Sequence, residues 1–383
     1  MKATVSVNGR FWSFQLAFEL QKRNYLRRLL TTYPKYYAKR YGVDPGNVKS
    51  LLIHEIILRA WKKIPGLLKK NWNTQYIFHE LFDLHASYNI PEDTDIFIGW
   101  SSSCLRSLRK ARQCGAKTIV ERGSSHRLFQ GKILREEYNK WGLNPQTDHP
   151  KIVEKELKEY EEADYIAIPS NFVKNTFLEY GVSENKLIHV PFGVDLTHFY
   201  PSPKMDDIFR VIFCGTLNIR KGIPYLLQAF SELNLKNAEL WLIGTKSEEI
   251  IPFLKKYSSP NILHKGPFPE FELQKYYSQG SVFCIPSIEE GLALVQPQAM
   301  ACALPLICTT NTGGSDLITD GSEGFILPIR DIEALKEKIL FFYENPDDCA
   351  EMGTVAREKI KSGYTWADYG EKMMNEYKSI FNN

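Results

Sequence analysis

Two clusters of charged residues in this sequence have the side chains that would bind a phosphate group and the hydroxyls of a sugar. The first is the cation pair Arg220 and Lys221, which follows an apolar run at residues 209–215. The second is the acidic pair at residues 289–290, which follows another apolar run at residues 281–286. Cations bind a diphosphate and stabilise it as a leaving group, and carboxylates accept hydrogen bonds from hydroxyls. Together the clusters predict a site for a sugar diphosphate.

Glycines and a predicted helix start accompany these charges. Gly222 and Gly291 directly follow the two clusters, and Gly9 follows the first predicted strand; a glycine lets the backbone approach a ligand closely. Residues 292–302 are apolar enough to form a helix buried against a sheet. Because the first turn of a helix has unpaired N–H groups and a partial positive charge, we expect a phosphate there, with carboxylates 289–290 facing solvent or the ligand.

A third polar cluster, at residues 122–126, follows the predicted strand 117–121. Open α/β sheets bind their ligands at the carboxyl ends of strands. We therefore single out His126 from the eight histidines as a site residue. Glu121 and Arg122 are the alternatives for the same role.

Predicted strands and helices alternate along most of the chain with short connections, which is typical of a parallel, doubly wound sheet. The predicted strands are residues 2–7, 95–99, 117–121, 164–169, 209–215, 238–244, 262–266, 281–286, 306–310 and 324–329. The predicted helices are residues 14–29, 104–115, 132–162 with a break at 142–150, 173–180, 223–233, 250–257, 271–279, 292–302, 332–343 and 355–383. Ser170 and Asp331 are predicted N-caps. No Gly-x-Gly-x-x-Gly run follows a strand, which argues against an NAD-type site.

The length of 383 residues exceeds the usual size of a single hydrophobic core, so we expect two domains. The sequence contains neither a run of about 18 apolar residues nor the pattern of a signal peptide. The seven cysteines show no metal-ligand spacing and no disulfide framework. These features favour a cytoplasmic protein in a reducing compartment.

The net charge of +3 conceals a strongly basic N-terminal segment. Residues 1–75 hold fifteen Lys or Arg and three acidic residues, a balance of +12, which leaves −9 for the remainder. Many of these cations lie among aromatic and leucine residues: Arg27, Arg28, Lys35, Lys39, Arg40, Arg59, Lys62, Lys63, Lys69 and Lys70. The pattern suits an anionic membrane surface or an anionic acceptor, and equally a solvated face. Residues 31–75 have poor periodicity, and we expect helices there that carry this surface. No nucleic-acid-binding motif accompanies the charge, so no nucleic acid is expected as a partner.

The clusters, in this order, resemble the motifs of retaining GT-B glycosyltransferases of the family 4 type. That family repeats a glutamate, Gly-Phe-Gly-Leu and a second glutamate at its donor site. The run here is Glu290, Gly291, Leu292, Ala293, Leu294 and then Gln298, which stands where the second glutamate would be. Arg220 and Lys221 resemble the family's pyrophosphate-binding pair, although they are adjacent instead of spaced.

Weaker similarities surround these motifs. Gly9 resembles the glycine loop of the family's acceptor domain, and the pair 313–314 resembles its donor-side Gly-Gly. Residues 186–195 are similar to the Pro-Asn-Gly-Val-Asp turn that closes the first domain, with Phe192 replacing the asparagine. The resemblance is strong over residues 164–329 and looser before them.

The resemblance implies an α/β protein with the GT-B fold, in which two Rossmann-like doubly wound parallel-sheet domains face a central cleft. Residues 1–200 would form the acceptor-binding domain and residues 201–360 the domain that binds the nucleotide-sugar donor. Residues 361–383 would form a helix that returns to pack on the first domain.

The activity that the resemblance implies is transfer of a sugar from a nucleotide diphosphate sugar to a glycan, lipid or small-molecule acceptor, in polysaccharide or glycolipid biosynthesis. Transfer would retain the anomeric configuration, with no metal and no cofactor. The implied catalytic residues are His126, Glu290, Arg220 and Lys221. The implied donor-binding residues are Gly9, Gly215, Thr216, Arg220, Lys221, Glu290, Gly291, Leu292, Ala293, Leu294 and Gln298. The acceptor-side candidates are Arg10, Trp100, Ser101, Glu121 and Arg122.

Two other classes of protein stay open at this point. A nucleotide-sugar epimerase shares this architecture and needs no acceptor. A non-catalytic peripheral membrane protein would use the basic N-terminal residues and retain a decayed donor site, for which Gln298 is the evidence. The sequence leaves the base, the sugar, the acceptor and the linkage undetermined.

Overall fold

Two parallel sheets organise the chain, which a computed structural model describes at residues 1–52, 56–57, 75–145 and 148–382. The first sheet consists of β1 (Ala3–Val7), β2 (Leu26–Thr31), β3 (Val48–Ser50), β4 (Ile96–Trp100), β5 (Lys117–Glu121), β6 (Tyr165–Ile168) and β7 (Leu187–His189). The second consists of β8 (Phe209–Cys214), β9 (Ala238–Ile243), β10 (Ile262–Gly266), β11 (Val282–Ile285), β12 (Leu306–Thr309) and β13 (Gly324–Leu327).

The described helices follow the strands along the chain. In the first domain they are α1 (Ser13–Lys22), α2 (Lys35–Lys39), α3 (Gln75–Ser87), α4 (Leu105–Gln113), α5 (Arg127–Lys140), α6 (Pro150–Glu162) and α7 (Asn171–Glu179). In the second part of the chain they are α8 (Ile223–Leu233), α9 (Ile251–Lys256), α10 (Leu273–Tyr277), α11 (Val295–Ala301), α12 (Ile332–Glu344), α13 (Pro346–Lys361) and α14 (Trp366–Asn382). Because helices cover both faces of a parallel sheet, central strands such as β1 and β8 are buried along their whole length.

The strand order places a ligand crevice in each sheet. The first sheet has the order β3-β2-β1-β4-β5-β6-β7 and the second β10-β9-β8-β11-β12-β13, with parallel pairing throughout. The order reverses between β1 and β4 and between β8 and β11, and ligands bind outside the carboxyl ends of strands at such switch points. These sheets confirm the predicted doubly wound α/β class.

The predicted helix 14–29 is wrong in its second half. Helix α1 ends at Lys22, Asn24 takes a left-handed backbone conformation (φ 62°), and the chain then enters β2 beside β1. The apolar residues after position 25 therefore pack in a sheet, which the helical pattern did not distinguish. In the 31–75 segment the structure adds β3 and the short α2; the predicted helices at residues 53–55 and 58–74 lie outside the described residues.

The last helix crosses back to the first domain. A backbone bridge between Val194 and Thr365 leads into α14, which packs along α1. A β-carbon on Gly370 would lie 2.7 Å from the side chain of Glu19, so glycine is needed where the two helices meet. The N-caps agree with prediction, since Ser170 Oγ accepts from Val173 N and Asp331 Oδ1 from Ala334 N.

Two searches of the described residues bear on membranes and cysteine chemistry. No helix among the described ranges is long and apolar enough to cross a bilayer. All seven cysteines lie within described ranges and are free thiols, six of them buried.

Candidate active site

A cleft of about 600 Å³ lies where the switch points of the two sheets face each other. On the first-domain side it is lined by the loop after β1, the end of β4 with the following serines, and the end of β5 with its loop. On the second-domain side it is lined by the residues after β8, by the two cations at the start of α8, and by the turn between β11 and α11. The carboxyl ends of parallel strands therefore build both walls.

The structure brings most of the predicted site residues together in this cleft. Those that line it are Arg10, Trp100, Ser101, Glu121, Arg122, Gly215, Thr216, Arg220, Lys221, Glu290, Leu292, Ala293 and Leu294. Gly9 lies in the lining loop between Asn8 and Arg10, and its φ of +129° is a conformation that favours glycine. Gly291, Gln298 and His126 are placed differently, as described below.

The two adjacent carboxylates, which we expected to share one environment, have different roles. Glu289 is fully buried at the contact between the domains. Its Oε1 accepts from Ser125 N (3.0 Å) and Ser125 Oγ (2.7 Å), and its Oε2 accepts from Gln130 Nε2 (2.9 Å). Arg220 Nε lies 2.9 Å from the same Oε2. Glu289 therefore joins the first domain to the cation pair of the second.

Electrostatics keep this buried contact ionised. Burial alone would raise the pKa of Glu289, but Arg220 and the hydrogen bonds from Gln130 and Ser125 lower it to about 2. Burial would likewise lower the pKa of Arg220, and the two neighbouring carboxylates Glu289 and Glu290 raise it above its ordinary value. The interface thus holds a permanent ion pair.

Glu290 faces the cleft and pairs with Lys221. The Lys221 ammonium contacts Glu290 Oε2, and Arg220 Nη2 lies 3.8 Å from Glu290 Oε1. The side chains of Lys221 and Glu290 are 16% and 15% exposed, so a ligand can reach both. With no ligand bound, each group satisfies the charge of the other.

Gly291 lies at the closest approach of the two domains. A β-carbon there would overlap the carbonyl oxygen of Gly123, and Ser170 Oγ donates to the Gly291 carbonyl oxygen at 2.6 Å. The predicted helix 292–302 begins later than expected, as α11 (Val295–Ala301), because the residues after Gly291 form an extended turn along the cleft. Leu292 to Leu294 therefore line the cleft as loop backbone.

Glu121 presents a buried carboxyl group to the first-domain wall. Trp12 Nε1 donates to its Oε2 at 3.2 Å, and no described residue supplies a hydrogen-bond partner for its Oε1. Burial raises the pKa of Glu121 to about 8, and the Trp12 bond offsets only part of this. At neutral pH Glu121 is therefore largely a neutral acid. Trp100 Nε1, in the same wall, is also buried and has no partner within the described ranges.

This raised pKa predicts a pH-dependent stability. The ordinary pKa of 4.5 applies to the unfolded chain, so between about pH 4.5 and 8 the folded state holds a proton that the unfolded state has lost. The contribution is complete below pH 4.5 and is lost as the pH rises through about 8. We expect Glu121→Gln, which cannot titrate, to remove this loss. The difference between the unfolding midpoints of wild type and variant, measured across that range, should change steadily with pH; a constant difference would contradict the assignment.

The structure corrects the predicted position of His126, which lies outside the cleft. It is the N-cap of α5, and its ring stacks on Tyr180 (4.6 Å between centroids) and meets Phe177 edge-on (5.0 Å). It lines a separate cavity of about 390 Å³ with Tyr160 and Lys186. Glu121 and Arg122, at the end of the strand, line the cleft. His126, five residues after Glu121, no longer faces it.

Arg122 lines the cleft, but its guanidinium is occupied by hydrogen bonds within the first domain. Its Nε and Nη2 donate to Ser125 O at 3.1 and 3.0 Å, and its Nη1 donates to Glu156 at 3.3 Å. The side chain therefore holds the 122–126 loop in shape. In the described part of the chain, His, Cys, Asp and Glu form no group of three that could hold a metal ion.

The family of the second domain follows from its sequence. Residues 197–359 match the family model of glycosyl transferases group 1. This range contains the whole second sheet, the cation pair at 220–221 and Glu290. The second domain is therefore similar to the glycosyl transferases of group 1.

Several curated glycosyltransferases are similar to this chain. It is 24% identical over 240 residues to a GDP-mannose-dependent monoacylated alpha-(1-6)-phosphatidylinositol monomannoside mannosyltransferase of Corynebacterium glutamicum, an alignment that covers 57% of this chain and 63% of the relative. An uncharacterised glycosyltransferase of Methanocaldococcus jannaschii is 26% identical over 356 residues, covering 91% of this chain and 90% of that protein.

Solved structures establish the fold of the complete chain. Sucrose-phosphate synthase from Thermosynechococcus elongatus superposes with a TM-score of 0.72 at 18% identity, over 99% of this chain and 98% of that one. Anabaena HepE in complex with UDP-glucose gives a TM-score of 0.72 at 13% identity, over 99% and 100%. The predicted GT-B fold, with two Rossmann-like domains facing a cleft, is confirmed.

His79 and Glu270 are among the residues around the cleft that sequence reasoning missed. His79, on α3, lines the cleft and its Nδ1 lies 3.1 Å from Ser102 O; its helix follows residues with poor periodicity, so nothing local marked it. Glu270, at a short 3₁₀ turn before α10, accepts from Arg10 across the domain boundary (2.9 Å) and from Gln298 (3.2 Å). Only a pairing across 260 residues could have pointed to it.

Proposed function

We propose that this protein transfers a sugar from a nucleotide diphosphate sugar to an acceptor, with retention of the anomeric configuration and without a metal ion. The observation that carries the proposal is the cleft arrangement of Lys221, Arg220 and Glu290 within a domain similar to the glycosyl transferases of group 1. The bond from the anomeric carbon to the diphosphate oxygen would break, and a bond to the acceptor oxygen would form. The acceptor's proton would pass to the departing diphosphate.

The ion pair between Lys221 and Glu290 suggests how the donor would bind. A diphosphate is a stronger partner for Lys221 than the carboxylate, because it carries more charge and more acceptor oxygens. Its arrival would release Glu290 to accept hydrogen bonds from sugar hydroxyls. Arg220 Nη2, 3.8 Å from Glu290, would share the charge that develops on the leaving group.

The first-domain wall would contact the sugar and the acceptor. The neutral Glu121 carboxyl and the Trp100 indole N–H are buried at that wall and can each donate to a hydroxyl. His126 takes no part in this scheme, because its ring packs in the separate cavity.

The acceptor class is proposed from the relatives and from the surface charge. Relatives include a phosphatidylinositol monomannoside mannosyltransferase and a putative colanic acid biosynthesis glycosyltransferase of Escherichia coli, which favours a glycan or lipid-linked acceptor. Of the basic N-terminal residues, Arg27 pairs with Asp93, whereas α2 exposes Lys35, Lys39 and Arg40 next to Tyr36, which is 66% exposed. Arg28 donates to the carbonyl oxygen of Asn89 at 3.4 Å. The other five predicted cations, at positions 59, 62, 63, 69 and 70, lie outside the described residues. We propose peripheral contact with an anionic membrane through this surface.

Product analysis tests the proposed reaction. The protein would be incubated with UDP- and GDP-sugars and candidate acceptors in the presence of a metal chelator, and the anomeric coupling of the product read by NMR. We expect nucleoside diphosphate release that depends on acceptor, and a product with the donor's configuration. An inverted product would overturn retention, and abolition of transfer by the chelator would overturn metal independence.

The same assay, together with calorimetry, separates the proposed transferase from an epimerase and from a protein with a decayed donor site. An epimerase would convert the donor with no acceptor present. A decayed donor site would bind no nucleotide sugar in calorimetry, and the protein's thermal midpoint would then not rise on adding any of them.

A further inference from the structure

Gln298 stands where the resembling family has its second glutamate, and the structure places the carboxylate of Glu270 against it. Gln298 Nε2 donates to Glu270 Oε1 at 3.2 Å. Glu270 begins the 3₁₀ turn Glu270–Glu272, which follows β10 in the second domain. A carboxylate therefore lies beside residue 298, on an element 28 residues earlier in the chain.

The hydrogen-bond chemistry fixes how the pair is oriented. A carboxylate only accepts, so the amide of Gln298 must turn its NH₂ toward Glu270. That leaves Gln298 Oε1, a buried acceptor that has no hydrogen-bond partner among the described residues. Gln298 is 6% exposed, and a buried polar atom without a partner costs free energy unless a ligand or water satisfies it.

Arg10 holds the other oxygen of Glu270 from the opposite domain. Its Nη1 lies 2.9 Å from Glu270 Oε2 and also contacts the Tyr41 hydroxyl. Burial would lower the pKa of Arg10, but Glu270 raises it above its ordinary value, so Arg10 stays cationic. The Glu270 side chain remains 34% exposed beside a residue that lines the cleft, and each carboxylate oxygen has a lone pair to spare.

The position of this pair suits the nucleoside end of a donor. Leu294 lines the cleft, and Gln298 N donates to Leu294 O one helical turn later. A rise of 1.5 Å per residue places Gln298 about 6 Å further along α11 from the phosphate-side residues. In the donor, the diphosphate would contact Lys221 and the sugar would contact Glu290. The nucleoside, at the opposite end of the diphosphate from the sugar, would then extend toward Gln298 and Glu270.

We propose that Glu270 supplies the carboxylate that binds the ribose hydroxyls of the nucleotide, with Gln298 orienting it and accepting a second ribose hydroxyl. The inference rests on the proposed function, because it takes a nucleoside diphosphate as the ligand. A vicinal diol offers two O–H donors, and a carboxylate accepts such bonds more strongly than a neutral amide does.

Calorimetric titration with UDP and 2′-deoxy-UDP, or with the guanosine pair if only GDP binds, tests this assignment. We expect wild type to prefer the ribonucleotide by about tenfold or more. Glu270→Gln should weaken ribonucleotide binding by about tenfold and deoxynucleotide binding by clearly less, so that the preference for the ribonucleotide falls. Glu272→Gln, in the same 3₁₀ turn, is the matched control and should keep the preference.

Exchanging the side chains at positions 270 and 298 distinguishes a role in ribose binding from a merely structural role. Glu270→Gln combined with Gln298→Glu returns one carboxylate and one amide to the same place and should restore the ribose preference. The inference is overturned if Glu270→Gln weakens both nucleotides equally or neither. If wild type binds none of these nucleotides, the proposed function itself fails and this inference fails with it.

Discussion

Lys221→Ala is expected to lower kcat/KM for sugar transfer by about 100- to 1000-fold, the cost of removing one group that stabilises charge developing in a transition state. Lys221 reaches the cleft, and its ammonium contacts Glu290. The diphosphate leaving group would lose one of the two cations that line the second-domain wall of the cleft. Folding should be little affected, because Glu290 is still within 3.8 Å of Arg220.

The measurement is initial-rate kinetics with thermal unfolding recorded in parallel. Lys246→Ala removes an exposed lysine at the carboxyl edge of the same sheet and is the matched control, with an expected change in kcat/KM of less than about twofold. Lys221→Arg, which keeps the charge but changes its geometry, should fall between the two. A Lys221→Ala enzyme within about threefold of wild type would show that the cation does not act on the leaving group.

Arg220→Ala is expected to destabilise the protein by about 3–5 kcal/mol, the usual cost of leaving a buried charge without its partner. Glu289 is fully buried, and the pKa of its carboxyl, about 2, depends on Arg220. Removing the guanidinium leaves a carboxylate between the domains with only the Ser125 and Gln130 donors. The contact between the domains should weaken as well, because Glu289 is one of the residues that join them.

A double-mutant cycle checks this second prediction. Glu289→Gln removes the charge with little change in shape, so adding it to Arg220→Ala should recover part of the lost stability. Denaturation of wild type, both single variants and the double variant gives the coupling. Additive losses would mean that the two side chains do not interact. The result also decides how activity data are interpreted. Arg220 combines a structural role with its proposed catalytic one, so Lys221 is the better probe of catalysis.

The order of strands and helices in this protein could be derived from the sequence because the buried residues of each strand or helix recur at a fixed spacing. Strand β5 and helix α8 match the predicted bounds, and most other elements shift by one to three residues. The failure at residues 26–31 has the same origin. A short apolar run reads equally well as helix or strand until its neighbour in the sheet is known.

Only part of the candidate site could be predicted from the sequence. Glu121, at a strand end, and Arg220 and Glu290, in the loops after two other strands, were singled out because ligands bind at the carboxyl edge of a parallel sheet. His126 follows β5 by five residues, as Glu290 follows β11, but its side chain faces a separate cavity, and the direction of a loop has no periodic signal. Glu289 and Glu290 are adjacent in sequence, yet one faces the other domain and the other faces the cleft.

The sequence by itself thus determined the doubly wound class and the position of the charged clusters, since both depend on local periodicity and on short motifs. Only the tertiary structure decided which charges face a ligand and which hold the domains together. It assigned Glu289 to the interface, paired Lys221 with Glu290, and brought Glu270 to Gln298 and Arg10. The physical reason is that these contacts join residues 28 to 260 positions apart, and a contact between distant segments leaves no pattern within either of them.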